Sequence, residues 1–207
     1  MKTKIKICGI TNLEDALKCV ELGADALGFI FAKSKRQIQM QKAKYIIENI
    51  PPFIAKIGVF VDEKPNIVKE IQQYCGLTNL QFSGDETPQY CSQFRNAIKT
   101  IKIKNNLNLT LLKKYEPYVC AFLFDAFSPN QKGGTGQAFN WNILKNIKSK
   151  TKKPIILAGG IAADNVADAI NSVNPYAIDC VSGTELKPGK KDYEKTRRLI
   201  NQIKLVN

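Results

Sequence analysis

Residues 154–166, PIILAGGIAADNV, and residues 176–188, YAIDCVSGTELKP, decide the fold. In the first stretch the apolar run 155–158 passes straight into Gly159-Gly160, and a helix is expected to open near Asp164. In the second the run 177–181 passes into Ser182-Gly183. Each apolar run reads as a strand ending on glycine at the mouth of a helix. Glycine lets a backbone come close to an anion, and the unpaired N–H groups of a helix start favour negative charge. Two such loops side by side hold one phosphate. In a (β/α)8 barrel that position lies after strands seven and eight.

Counting outward from this pair, strands are expected at 4–8, 24–31, 54–60, 80–82, 98–103 and 119–124. Helices are expected at 13–22, 40–50, 65–75, 87–97, 107–114, 140–147 and 192–203. Asn12 or Thr11 suits an N-cap, and Pro65 and Pro88 suit first helical positions. The strands are continuous apolar runs, as in a parallel sheet covered by helices on its outer face. The expected fold class is therefore α/β, a single (β/α)8 TIM barrel of parallel strands over residues 1–207, with phosphate-binding loops after strands 7 and 8. An open doubly wound sheet has the same element order; the two adjacent glycine ends favour closure.

The length of 207 residues is near the short end for such a barrel, yet it suffices for a substantial core without disulfides. The six cysteines form no CxxC pair, so neither a zinc site nor a thioredoxin-like redox site is suggested. A reducing cytoplasmic setting fits them. The N-terminus lacks a signal-peptide core, and no apolar run reaches membrane-spanning length, so no membrane partner is expected. The formal net charge of +13 comes mostly from lysines spread from end to end. That reads as a solvated surface whose field also helps capture a small anionic substrate. There is no histidine, which excludes Ser–His and Cys–His nucleophiles and every histidine metal site. Proton transfer must use carboxylate, thiol, lysine or tyrosine.

In a barrel, chemistry sits where strands end. The polar residues there are Cys8, Ser83-Gly84-Asp85, Asp125, Gly159-Gly160, Asp179 and Ser182-Gly183, with Arg36 in the loop after strand two. Cys8 reads as a base or nucleophile, or as a buried structural thiol. Asp125, after the apolar Ala121-Phe122-Leu123-Phe124, reads as an acid or as a loop cap. Arg36 reads as a bidentate carboxylate partner or as part of a solvated basic loop. The loop 132–136, KGGTG, reads as a lid or as a plain connection.

Taken together, KICGIT, GADALGFIF with KSKR, IGVFVDE, LQFSGDE, FLFDAF…GGTGQAFNW, ILAGGI…NV and IDCVSGTELKPGKKD resemble phosphoribosylanthranilate isomerases of tryptophan biosynthesis, in order over about residues 4–200. The resemblance implies a cytoplasmic isomerase of amino-acid biosynthesis that performs an Amadori rearrangement. It would convert N-(5-phosphoribosyl)anthranilate to 1-(2-carboxyphenylamino)-1-deoxyribulose 5-phosphate, with no cofactor and no metal. It implies Cys8 as general base and Asp125 as general acid. It also implies Arg36 on the anthranilate carboxylate, the phosphate on Gly159, Gly160, Ser182 and Gly183, and Asp179 lining the same site. For Asp125 to be protonated near pH 7 its pKa must rise by about 3 units from about 3.9, a cost of about 4 kcal/mol that burial can impose. Cys8 needs the opposite, enough thiolate to act. One departure is Ser83, where the family commonly has histidine.

Other phosphate-binding barrel enzymes remain as alternatives. An epimerase wants metal ligands, and an indole-glycerol-phosphate synthase-like lyase wants a lysine acid and strand-end glutamates. A non-catalytic nucleic-acid-binding protein wants a clustered basic face with interleaved aromatics, which the sequence does not show. A small phosphorylated molecule is the expected partner, with no nucleic acid; monomer and homodimer both stay open.

Overall fold

The computed structural model describes residues 2–103, 107–125 and 141–206. Local signals place the first unit. The Asn12 side chain accepts from the Asp15 N–H, and Gly23, at φ 117°, turns the chain out of helix α1 (Leu13–Leu22) in the left-handed region that glycine favours. Around this unit the strands β1 (Lys4–Cys8), β2 (Ala26–Ile30), β3 (Ala55–Phe60), β4 (Asn79–Phe82), β5 (Ala97–Lys102), β6 (Ala121–Asp125), β7 (Ile155–Ala158) and β8 (Ala177–Cys180) pair in sequence order and close into a barrel. All pairings in it are parallel, and β1 meets β8 with Lys6 opposite Asp179. The expected barrel is the observed one.

Outside it run α2 (Met40–Glu48), α3 (Pro65–Cys75), α4 (Pro88–Cys91), α5 (Leu109–Tyr115), α6 (Val166–Val173) and α7 (Tyr193–Leu205). Strand alternation divides the apolar residues by size. Phe29, Phe60, Phe82, Phe122 and Phe124 are buried in the large outer cluster under the helices. Ala26, Ile57, Ile98, Ala121, Leu123, Ile156, Ala158 and Ala177 form a separate inner cluster. Among the described residues no helix is long and apolar enough to cross a membrane.

Three expectations need correction. The helix expected at 87–97 is a single turn, α4, capped by Thr87, because Ala97 is needed in β5 opposite Leu80. The helix expected at 140–147 is instead a pair of short 3₁₀ turns, Trp141–Leu144 and Ile147–Ser149, parted by Asn146 at φ 68°; residue 140 lies outside the described residues. The chain after β8 does not enter a helix at Gly183. It makes the 3₁₀ turn Ser182–Thr184 and a hairpin of β9 (Glu185–Lys187) and β10 (Lys190–Lys191) before Asp192 caps α7.

Candidate active site

At the C-terminal ends of the strands a cavity of about 340 Å³ is lined by Cys8, Arg36, Ser83, Asp125, Gly159, Gly160, Asp179 and Ser182, among others. β1, β4, β6, β7 and β8 thus bring residues distant in sequence to one mouth. A larger cavity, about 410 Å³, opens at the opposite mouth, lined by Lys6, Ala26, Ile57, Ile98, Ala121 and Ile156, among others. Cys8, Arg36, Asp125 and Asp179 line the smaller cavity and not this one, so size does not select the site.

Cys8 ends β1 and is buried. Its thiol fits because β2 offers only Gly28 beside it: a Cβ there would come within 2.5 Å of Sγ. Burial pushes the Cys8 thiol up, and the Lys6 ammonium opposes that shift without cancelling it. This departs from the need for thiolate inferred from sequence. Lys6 itself is the residue that sequence reading missed. It lies inside the barrel, 2% exposed, and its Nζ donates to Asp179 Oδ1 at 2.8 Å. Asp179 therefore reaches the cavity as half of a buried ion pair.

Arg36 reaches the cavity from the loop after β2, but it is not a solvated basic side chain. Its Nε donates to Glu185 Oε1 and Oε2 at 2.8 and 3.0 Å, and its Nη2 donates to Oε2 at 2.6 Å. That fork fixes the guanidinium plane. Glu185 was also missed; its only signal was an acidic residue just before the basic run KPGKK. Lys191 Nζ donates to the Cys8 carbonyl at 2.7 Å and lies 3.6 Å from Glu185 Oε1, so the β9–β10 hairpin ties Cys8 and the Arg36–Glu185 pair together.

Asp125 ends β6, where its backbone carbonyl accepts from the Ile103 N–H at 3.0 Å. Ser83 Oγ lies 2.8 Å from Thr100 Oγ1 and accepts from Gln81 Nε2 at 3.1 Å. The serine is thus built into a polar chain across β4 and β5. Gly159 and Gly160 have φ of 92° and 65°, and nothing lies within 4 Å of a Cβ placed on Gly160. At Gly160 conformation, not crowding, requires glycine. Asn165 pins that loop, accepting from the Ala162 N–H and donating to the Gly160 carbonyl. Gly183 does not line the cavity. A Cβ on it would stand 2.1 Å from the Ile161 carbonyl oxygen, so its smallness lets the two glycine loops touch. The loop 132–136 lies outside the described residues.

Relatives agree over the full length. The family profile of N-(5'phosphoribosyl)anthranilate (PRA) isomerase matches residues 5–202. An N-(5'-phosphoribosyl)anthranilate isomerase of Pelobacter propionicus is 46% identical over 203 residues, covering 97% of this chain and 95% of the relative. The crystal structure of phosphoribosyl anthranilate isomerase from Thermotoga maritima is 36% identical, with a TM-score of 0.87 and 98% of both chains covered. A phosphoribosyl anthranilate isomerase in complex with reduced 1-(o-carboxyphenylamino)-1-deoxyribulose 5-phosphate is 34% identical, with a TM-score of 0.85 and 98% of both chains covered.

Proposed function

The chain belongs to the N-(5'-phosphoribosyl)anthranilate isomerase family and catalyses that isomerisation in tryptophan biosynthesis, and from this premise we propose that Cys8 is its general base and Asp125 its general acid. The observation that carries the proposal is that both line one cavity whose rim includes Gly159, Gly160 and Ser182. Asp125 protonates the ribose ring oxygen, and the ring opens to an iminium. Cys8 removes the C2′ proton to give an enolamine, which takes up a proton at C1′ as its C2′ hydroxyl gives one up, and becomes the ketone. Each step moves a proton, so a side-chain acid and base suffice. The phosphate sits on the backbone of the loops at Gly159-Gly160 and Ser182, with Gly183 keeping the two loops in contact behind it. Asp179 lines the floor, and a reducing cytoplasm suits the free cysteines.

Arg36 takes the anthranilate carboxylate, with Glu185 holding the guanidinium edge. Arg36→Met raises KM about 10- to 100-fold, the weight of a charge-assisted hydrogen bond of about 1.5–3 kcal/mol; kcat changes less. An unchanged KM would remove Arg36 from the substrate. The reading as a whole is tested by the decay of anthranilate fluorescence with freshly prepared phosphoribosylanthranilate. Fast first-order decay supports it, and no turnover with phosphate still bound would mean a changed substrate. In the same assay Ser83→His changes kcat/KM by under about 10-fold, because Ser83 is neither acid nor base. A gain above about 100-fold, about 2.7 kcal/mol of barrier, would show that the serine is a serious defect.

A further inference from the structure

We propose that Lys6, held inside the barrel by Asp179, is the positioning residue that supplies the cation for Cys8 and so sets the pH at which Cys8 works as a base. The inference rests on reading Cys8 as that base.

Lys6 is among the largest fully buried side chains of the protein. It lines the cavity at the opposite mouth among apolar residues that include Ile57, Ile98 and Ala26, the residue paired with it on β2. A buried ion pair is a weak source of stability, since desolvation offsets much of the attraction. The fold alone therefore gives little reason for a lysine here. Position gives one. Residues two apart on a strand share a face, so Lys6 and Cys8 both point inward from β1. The register then sets Asp179 opposite Lys6, and the 2.8 Å bond holds the ammonium in place.

The charged groups that face Cys8 come from several elements. They are Lys6 on β1, Asp179 on β8, Lys191 on β10, Arg36 after β2 and Asp125 at the end of β6. β2 itself presents only Gly28. Lys191 binds the Cys8 carbonyl rather than its thiol, and Arg36 is committed to Glu185. Burial raises the thiol most; of the charges, the Lys6 ammonium acts most strongly, lowering it, and Asp179 raises it. Lys6 keeps its own proton: burial works against the charge, but Asp179 and Cys8 outweigh it and raise its pKa.

The test is the pH midpoint of iodoacetamide alkylation at Cys8, read on the Cys8 peptide by mass spectrometry. It is run alongside the pH profile of kcat/KM, for wild type, Lys6→Met and Lys6→Met/Asp179→Asn. Lys6→Met moves the midpoint up by about one unit or more, as removal of a charge at this range does. The acid limb of kcat/KM moves with it, and activity recovers at higher pH. The double variant leaves no unpaired buried carboxylate, so it carries the test if the single variant does not fold. Its midpoint still lies above wild type, because Lys6 acts on the thiol more strongly than Asp179. A midpoint equal to wild type in a folded variant overturns the proposal. So does a kcat lowered equally at all pH values, which marks a merely structural role. Full activity in Cys8→Ser would instead overturn the assignment of the base, while the alkylation midpoint would still report on Lys6.

Discussion

Cys8→Ser and Asp125→Asn each lower kcat by about 10³-fold, within the range that a positioned acid or base supplies, while KM for phosphoribosylanthranilate changes far less. Serine fills the same space beside Gly28, so the walls of the cavity stay where they are. Its hydroxyl is too weak an acid to yield the anion that removes the C2′ proton. Asparagine keeps the shape of Asp125 and leaves the backbone bond from Ile103 to its carbonyl untouched. It has no carboxyl proton to give the ring oxygen. The two losses fall on successive steps, ring opening and C2′ deprotonation, so the double variant is expected to lose much less than the product of the two factors. Fluorescence decay at saturating substrate reads all three variants. Activity that persists in Asp125→Asn would move the acid elsewhere, with Asp179 the next candidate.

The second large effect falls on stability. Lys99→Met lowers the unfolding free energy by about 3–5 kcal/mol, the usual result of removing one partner of a buried ion pair. Lys99 and Glu86 have side chains only 4% and 1% exposed, and Nζ donates to Oε2 at 2.7 Å. The same ammonium donates to the Gly84 carbonyl at 2.7 Å and the Phe82 carbonyl at 3.3 Å. Glu86 in turn accepts from the Asp62 and Gly84 N–H groups, and Tyr115 donates to its backbone carbonyl. One pair thus joins the ends of β3 and β4 to β5 and α5. Without Lys99, Glu86 is a buried carboxylate lacking its cation. Urea unfolding with an unchanged m-value reads the loss. Lys99→Met/Glu86→Leu recovers a large part of it, since an apolar replacement of both partners removes the uncompensated charge. A loss under about 1 kcal/mol in Lys99→Met would mean that water reaches the pair and screens it.

Much of the barrel and of the cavity wall was legible in the sequence. Apolar runs ending on glycine, Asn12 as a cap, and Pro65 and Pro88 at helix starts are local signals, and each appears where the sequence put it. Cys8, Arg36, Asp125, Gly159, Gly160, Asp179 and Ser182 were found because strand ends converge once a barrel is assumed, and they do line one cavity. Element ends were less legible. The helix expected through Ala97 gave way to β5, because strand pairing outweighs local helix preference. The β9–β10 hairpin was missed because each of its strands is very short and half-exposed.

The sequence by itself determined the order of strands and helices, the closed parallel barrel and which strand ends carry functional groups. All of these follow from patterns read over a few residues. Only the tertiary structure decided which charges meet. Lys6 and Asp179 are 173 residues apart, and Arg36 and Glu185 are 149 apart. Both pairs exist because the last strand and its hairpin close against the first two units. Hydrophobic periodicity fixes the face a side chain takes, but the partner on that face is set by closure of the ring. For that reason the cation beside Cys8 and the carboxylate behind Arg36 became visible only in three dimensions.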